Sequence, residues 1–255
     1  MHWAAREIPE AYKYFFVFQN WWLTLADWAG IVQKGKMVIL QFRNGNKCKI
    51  RAGSSDRNAV INMVIHNEYR INKTTKYKKY KNIVDIGGHI GCFPIFISRI
   101  CPDARVFSFE PEPQNYRLLL ENIKLNGLEK MVTSSNSAIS DREGSIRLYM
   151  HGETFAHSTS IASTDFINVP CHSLEQVFLR NKIDRCDLLK INAEGAEYPV
   201  LLNTTKETLS RIRDIRAHCH TIDSDRNVDI LVAFLSANGF NCVKHGELLS
   251  AEKNW

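Results

Sequence analysis

Residues 82–91, which read Asn-Ile-Val-Asp-Ile-Gly-Gly-His-Ile-Gly, join an apolar segment to a glycine-rich turn. Gly87 and Gly91 allow the backbone to turn tightly and to approach a ligand closely, because glycine has no Cβ. Such a turn after a buried strand is typical of sites for nucleotide-like cofactors. A dinucleotide site would need a glycine at position 86, which is Ile86, so that interpretation lacks its first glycine.

Two carboxylates favour a different nucleotide site, that of S-adenosylmethionine (SAM) enzymes. Asp85 directly precedes the glycines, and Glu110 ends an alternating segment that starts at Arg105. Glu110 follows Gly91 by 19 positions, which is about the spacing at which an acid meets the ribose hydroxyls in a doubly wound sheet. A carboxylate can accept a hydrogen bond from each hydroxyl of the diol. The remaining alternative is a plain strand-to-helix turn without a ligand.

A second group of polar side chains follows the ends of two later apolar segments. Asn192 and Glu194 follow the first segment, and His218 and His220 share one side of the second. In open α/β sheets the ligand crevice lies outside the carboxyl ends of the strands. We therefore expect these four residues to converge with the glycine turn.

The segments that carry these residues alternate between strand-like and helix-like patterns. A third strand is predicted over residues 131–139, and the last two strands, near 240–244 and 247–250, follow each other directly. Strands that alternate with helices predict an α/β fold. We expect a Rossmann-like, mostly parallel sheet with a terminal antiparallel hairpin. Residues 76–255 are predicted to form this domain, and residues 1–75 a helical and hairpin cap.

The predicted cap begins with a strongly aromatic segment. Apolar residues spaced by three and four positions predict one helix over residues 10–33. Asn44 and Gly45 then mark a hairpin between two alternating segments. The aromatic face is expected to pack on the domain or on a second copy, and the alternative is a peripheral membrane contact through residues 14–32.

Composition excludes several classes of protein. A chain of 255 residues that is 44% hydrophobic suits one domain with an extension. The seven scattered cysteines, without a C-x-x-C pair, predict buried free thiols rather than a disulfide framework or a zinc site. The first residues show no signal-peptide pattern, and polar residues interrupt the most apolar segment, so we expect a cytoplasmic protein without a transmembrane segment.

Much of the formal net charge of +6 lies in residues 73–81, where Tyr77 and Tyr80 alternate with lysines. Cations interleaved with aromatic rings can bind the phosphates and stacked bases of a nucleic acid. We prefer to interpret the run as a solvated linker, because no nucleic-acid-binding motif accompanies it. The sequence therefore predicts no specific nucleic-acid partner.

In their order along the chain, these motifs resemble the FkbM-type family of SAM-dependent methyltransferases. The resemblance spans roughly residues 82–243 and is carried by residues 84–91, 109–111, 126–127, 136–141, 188–197 and His220. It implies a Rossmann-like fold and SAM as the methyl donor. The residues expected to bind this cofactor are Asp85, Gly87, His89, Gly91, Glu110, Asn136 and Ser137.

Two positions depart from the family pattern. Asn192 stands where the strand usually ends in aspartate, and His218-Cys-His220 replaces an expected Glu-x-His. Two carboxylates are therefore missing from the presumed acceptor pocket. We expect no bound metal, because one amide and two imidazoles are an incomplete ligand set for most metals. Asn192 is expected to orient the acceptor through its amide.

The resemblance also implies methylation of a hydroxyl on a sugar, a glycan or a secondary metabolite. The hydroxyl must lose its proton, and a histidine with a pKa near 6.5 can accept it. We rank His220 first as this base, His218 second and His157, in a segment rich in Ser and Thr, third. Glu194 and His157 are expected to contact the acceptor. The alternative function is a SAM-binding or nucleic-acid-binding module without turnover.

Overall fold

The structure, a computed structural model, describes residues 11–72, 74–149 and 165–253. The elements that precede the main sheet are α1 (Ala11–Val17), α2 (Trp21–Trp28), β1 (Met37–Gln41), β2 (Lys47–Arg51), α3 (Asp56–Val64) and α4 (Thr75–Lys78). The elements that follow are β3 (Asn82–Ile86), α5 (Cys92–Ser98), β4 (Arg105–Phe109), α6 (Pro113–Leu125), β5 (Val132–Ser135), β6 (Ala138–Ser140), β7 (Gly144–Tyr149), β8 (Phe166–Ser173), α7 (Leu174–Arg180), β9 (Cys186–Ile191), α8 (Glu197–Leu202), α9 (Lys206–Ser210), β10 (Ile212–His218), α10 (Val228–Ala237), β11 (Asn241–His245) and β12 (Leu248–Glu252).

Seven strands form one sheet in the order β5-β4-β3-β9-β10-β12-β11. Five neighbouring strands of this sheet, β5, β4, β3, β9 and β10, are parallel to one another. In contrast, β12 runs antiparallel to both β10 and β11. The expected mostly parallel sheet with a terminal antiparallel hairpin is confirmed. Strand order reverses between β3 and β9, and such a switch point opens a crevice at the carboxyl ends of the two strands.

The central strands are apolar because both of their faces are covered. Residues 83–86 of β3 and 188–191 of β9 are all buried, which is typical of parallel strands that lie between two layers of helices. Their polar members, Asp85 and Lys190, therefore need partners inside the protein. Those partners lie beneath the glycine turn.

The aromatic segment at the start of the chain forms two short helices, so the prediction of a single helix over residues 10–33 is wrong. Phe18, between α1 and α2, forms a bridge with Phe42. The Asn20 side chain donates to the carbonyl of Ile39 and accepts from the N–H of Gln41. Backbone and side-chain bonds to the edge of β1 replace the next helical turn. The periodicity of the sequence does not reveal this competing partner.

The hairpin of β1 and β2 forms around Asn44 and Gly45 as predicted. Two asparagines of α6 and the turn after it hold the outer edge of β2. Asn122 accepts from the N–H of Lys49 and donates to its carbonyl, and Asn126 does the same for Lys47. The N-terminal segment is thereby tied to the sheet domain by paired backbone hydrogen bonds.

The single strand predicted over residues 131–139 is divided, and that prediction is also wrong. β5 belongs to the seven-stranded sheet, whereas β6 belongs to a separate three-stranded sheet of order β6-β8-β7. Between them the Asn136 side chain donates to the carbonyls of Glu110 and Pro111. These bonds fix the point at which the chain leaves the main sheet.

Residues 75–78 of the lysine-rich run form the short helix α4, and the aromatic rings of the run face inward. Tyr77 and Tyr80 are buried, the Tyr80 hydroxyl donates to Asp214, and Arg216 donates to the Tyr77 hydroxyl. Lys76 forms ion pairs with Asp214 at 3.3 Å and with Glu252. The two tyrosines therefore cannot serve as a stacking surface for bases.

All seven cysteines lie among the described residues, and all are free thiols, six of them buried. Across that same part of the chain, no helix combines the length and the apolar character needed to span a bilayer.

Candidate active site

A cavity of about 800 Å³ opens at the carboxyl ends of β3, β4, β9 and β10. The predicted site residues that line it are Gly87, His89, Glu110, Ser137, Asn192, Glu194, His218 and His220. Three further predicted residues, Asp85, Gly91 and Asn136, are absent from its wall. His157 lies outside the described residues. The sequence therefore brings most of the expected groups together, and the other three act from outside the cavity.

The glycine turn presses directly against the end of β9. Gly87 has a φ of +78°, and a Cβ at this position would lie 1.7 Å from the carbonyl oxygen of Asn192. The N–H groups of Gly87 and Gly88 both donate to the carbonyl of Phe109. Gly91, with a φ of +87°, starts α5 in the left-handed conformation. The turn can form only where position 87 has no side chain.

Asp85 acts from beneath the turn, through a lysine that the sequence analysis missed. Its carboxylate accepts from the Ser108 hydroxyl and lies 2.9 Å from Nζ of Lys190. Lys190 in turn donates to the carbonyl of Gly87 at 2.7 Å. The sequence could have indicated this contact, because Lys190 lies inside the apolar segment 187–191 and a buried cation requires an anionic partner.

Glu110 closes this end of the cavity at the end of β4. One carboxylate oxygen accepts from the N–H of His89 at 2.8 Å, and the other accepts from the N–H of Glu112 at 3.0 Å. Burial raises the pKa of Glu110 to about 7, against the opposing effect of these two backbone donors. Asn136 holds the carbonyl of Glu110, so it positions this loop from behind.

The opposite end of the cavity holds two stacked imidazoles surrounded by carboxylates. The rings of His218 and His220 lie 4.5 Å apart at an interplanar angle of 22°. Nδ1 of His218 lies 2.9 Å from Glu68. His220 lies 3.2 Å from Glu197 through Nδ1 and 3.4 Å from Glu194 through Nε2. Each histidine therefore has at least one acid in direct contact.

These acids change the protonation state expected for His220. Burial favours the neutral ring, but the hydrogen bond with Glu197 and the charges of Glu194 and Glu197 outweigh it and raise the pKa of His220 to about 9. Burial also raises the pKa of Glu194 above its usual range. The value near 6.5 expected for the histidine is therefore too low, and His220 carries a proton at neutral pH.

The family follows from a comparison with known proteins. A family model described as the methyltransferase FkbM domain matches residues 85–250. The chain belongs to this family of methyltransferases.

The curated relatives of this chain are distant. The chain is 26% identical over 165 residues to Methyltransferase sdnD of Sordaria araneosa, and this match covers 52% of this chain and 64% of that protein. The chain is 27% identical over 163 residues to Methyltransferase 1 of Beauveria bassiana, and this match covers 54% of this chain and 65% of that protein. The chain thus spans slightly less than two thirds of the length of either relative.

A solved FkbM methyltransferase structure, from Methylobacillus flagellatus, is also similar to the chain. Its TM-score is 0.49 at 16% identity, and the match covers 68% of this chain and 44% of that chain.

SAM is the methyl donor that the FkbM family implies, and the glycine-turn end of the cavity fits it. Glu110 accepts from two backbone N–H groups and from the Asn115 side chain. A carboxylate has about four acceptor sites, so capacity for a hydroxyl donor remains. Phe109, Ala138 and Ile139 give the adjoining wall an apolar surface that suits a nucleobase. The residues here therefore match a nucleoside that carries a free ribose diol.

The histidine end of the cavity contains more carboxylates than the sequence motifs suggest. The expectation of a carboxylate-poor pocket is wrong, because Glu68 and Glu247 reach His218 from outside the strand ends at 2.9 and 3.8 Å. Glu68 precedes the sheet domain and Glu247 lies in the terminal hairpin, so no local motif links them to the histidines. In the described part of the chain, no three His, Cys, Asp or Glu side chains form a group suited to a metal ion.

The N-terminal segment, which the FkbM family model does not match, supplies one wall of the cavity. Asp27 and Trp28 of α2 line it together with Arg57 and Asn58 of α3. Asp27 is buried, accepts from the N–H of Gly53 and lies 3.4 Å from Nε of Arg57. Residues outside the matched range therefore shape part of the cavity.

Proposed function

We propose that this protein transfers a methyl group from SAM to a hydroxyl group of a small polar acceptor, such as a sugar or another metabolite. The observation that carries the proposal is the composition of the cavity. One end has the glycine turn and Glu110, and the other has an imidazole–carboxylate cluster. A nucleoside site and a proton-accepting site that share one cavity suit alkylation of a group that must lose a proton.

The protein's first task is to position two reactants. When bound, SAM supplies a methyl group that its sulfonium makes electrophilic. Glu110 holds the ribose diol, and the turn at Gly87 allows close approach of the backbone. Holding nucleophile and electrophile in line is worth several kcal/mol of the barrier, about 7–11 kcal/mol in the best-oriented cases. Lys190 and Asp85 keep the turn in place during this step.

Asn192 supports the orientation of the acceptor. Its Oδ1 is buried and has no hydrogen-bond partner among the described residues. Its backbone carbonyl packs against Gly87, and the residue lines the cavity. A hydroxyl that donates to Oδ1 would relieve the cost of this buried acceptor. In this proposal the amide takes the orienting role expected from the sequence.

His220 is the proposed base, with His218 second. In its neutral form His220 accepts the hydroxyl proton, and the resulting imidazolium is stabilised by Glu194 and Glu197 at 3.4 and 3.2 Å. With a pKa of about 9, only about one hundredth of the histidine is neutral at pH 7. We therefore expect turnover to rise with pH through about 9. The proposal needs no metal ion, so chelation with EDTA should leave turnover unchanged.

A radiolabelled methyl-transfer assay tests the proposal. The protein is incubated with methyl-labelled SAM and fractions of a metabolite extract, and the labelled product is identified by mass spectrometry. We expect a methyl ether. A methylated nitrogen or carbon would contradict O-methylation, and SAM binding in calorimetry without any labelled product would favour the non-catalytic alternative. Glu110→Ala, which should weaken SAM binding, controls for labelling by contaminants.

A further inference from the structure

Residues 11–55 expose an unusual amount of apolar surface for a water-facing segment. The large apolar side chains exposed there are Tyr12, Phe15, Phe16, Trp22, Trp28, Ile31, Met37 and Ile39. Phe16 is 68% exposed and Trp22 is 59% exposed. Elsewhere in the described chain, exposed large apolar residues are scattered over several elements. A concentration of this kind marks an interaction surface.

The exposed charged side chains of residues 11–55 are all positive. Residues 11–55 contain seven lysines and arginines, and their only acid is Asp27, which is buried. Lys49 and Arg51 are paired with Glu121 and Asp56. The other cations of the segment include four exposed side chains, Lys34, Lys36, Arg43 and Lys47. The exposed surface of this segment is therefore both aromatic and positively charged.

Contacts connect the aromatic and cationic groups. Phe15 packs edge-on against Phe16 and Trp21, and the Arg43 guanidinium lies 4.9 Å from the centre of the Phe15 ring. On the hairpin, Ile39 pairs with Lys49 across the strands, so apolar and basic residues alternate on its outer face. We call the exposed side chains of residues 11–55 the aromatic–basic face.

We propose that the aromatic–basic face docks the protein on an anionic lipid bilayer. Aromatic side chains are favoured at the membrane–water interface, and each Lys or Arg near an anionic membrane adds attraction. A second copy of the chain is disfavoured as the occupant, because two such faces would bring like charges together. Trp28 belongs to this face and to the cavity wall, so the docked surface borders the cavity.

Vesicle co-sedimentation with the full chain tests the proposal. The protein should bind vesicles of phosphatidylcholine with phosphatidylserine about tenfold or more better than vesicles of phosphatidylcholine alone, and this binding should weaken at high salt. The aromatic variant Phe16→Ser/Trp22→Ser and the charge variant Lys34→Glu/Lys36→Glu should each lose about tenfold in binding.

Matched variants keep these effects specific. Leu179→Ser/Val243→Ser removes two apolar residues of similar exposure, 70% and 54%, from other elements. Lys78→Glu/Lys79→Glu makes the same charge change in the lysine-rich run. Both controls should bind anionic vesicles like the unmodified protein, and circular dichroism should show that all four variants are folded.

Three results would overturn the proposal. The first is equal binding to neutral and anionic vesicles, and the second is an equal loss in either control. The third is absent vesicle binding together with a concentration-dependent dimer in light scattering that Phe16→Ser/Trp22→Ser abolishes, which would assign the face to contacts between copies. None of these measurements involves methyl transfer, so they are independent of the proposed function.

Discussion

The two ends of the cavity are held in different ways. At the glycine-turn end, most of the contacts involve backbone groups: the turn donates to Phe109, Lys190 donates to the carbonyl of Gly87, and Glu110 accepts from two backbone N–H groups. At the histidine end, side-chain charges fix it, and the main contacts are those of His218 and His220 with acids from separate parts of the chain. The first end therefore tolerates little change in shape, and the second depends on the charges of its side chains.

This difference separates two kinds of sensitivity. A backbone-built site, whose geometry is set by main-chain groups, is damaged by any added atom, because the neighbouring main chain cannot move aside without a large cost in free energy. A charge-built site, whose geometry is set by charged side chains, keeps its shape when one carboxylate is replaced by an amide. The pKa values of the remaining side chains shift instead. Substitutions at the two ends should therefore have distinguishable signatures in binding and in pH profiles.

The largest effect is expected for Gly87→Ala. The new Cβ would lie 1.7 Å from the carbonyl oxygen of Asn192, so the turn must move and SAM binding should be lost, with a clear fall in the melting temperature. Gly127→Ala is the matched control. Gly127 also has a positive φ, +65°, but apart from its chain neighbours no described residue comes within 4 Å of the place that a Cβ would take. The control should cost only the backbone strain, about 1–2 kcal/mol. Equal melting temperatures and SAM affinities for the two variants would contradict a backbone-built site.

The next effect concerns turnover at the other end. His220→Ala should lower kcat by about 10² or more with SAM affinity little changed, because the proposed mechanism assigns the acceptor's proton to this imidazole. The increase of kcat with pH around pH 9 should also be absent from this variant. His172→Ala, which alters a histidine paired with Glu143 on another face, should leave both unchanged. A fully active His220→Ala enzyme would exclude this residue as the base.

A smaller, binding-specific effect is expected for Glu110→Ala. Loss of hydrogen bonds to a charged group should weaken SAM binding by about 1.5–3 kcal/mol in calorimetry. The proposed contact has the diol donate to the ionised carboxylate, so SAM affinity in the unmodified protein should rise with pH through about 7, and the variant should lose this dependence. Glu143→Ala, which also removes an acceptor of a backbone N–H, is the control. Unchanged affinity in Glu110→Ala would exclude Glu110 from the ribose site.

The same residue links pH to stability. The pKa of Glu110 is higher in the folded protein, about 7, than its ordinary value of 4.5. The folded state therefore holds this proton more tightly than the unfolded chain. The contribution of Glu110 is present in full below pH 4.5 and is lost as pH rises through about 7. Urea unfolding of the protein without SAM should show this loss.

The two ends also differ in how far the sequence predicts them. Gly87 and Glu110 belong to contiguous motifs, so their spacing alone indicates a nucleotide site. Glu68 and Glu247 contact His218 although they lie far from it in the chain, and only the tertiary fold brings them there. The sequence therefore predicted Glu194, His218 and His220 as site residues but not Glu68 and Glu247. The break at Phe18 was missed for the same reason, since its partner is Phe42.

The smallest expected effect gives the sharpest test of the charge-built end. Glu194→Gln keeps the shape of the side chain but removes a negative charge 3.4 Å from Nε2 of His220. That charge helps to raise the pKa of His220, so the inflection of the pH profile should move down and kcat at pH 7 should increase several-fold. Glu247→Gln is the control: Glu247 is a weaker cause of the same shift and should move the profile less. If Glu194 were itself the proton acceptor, Glu194→Gln would instead abolish turnover at every pH, and the roles of the two residues would have to be exchanged.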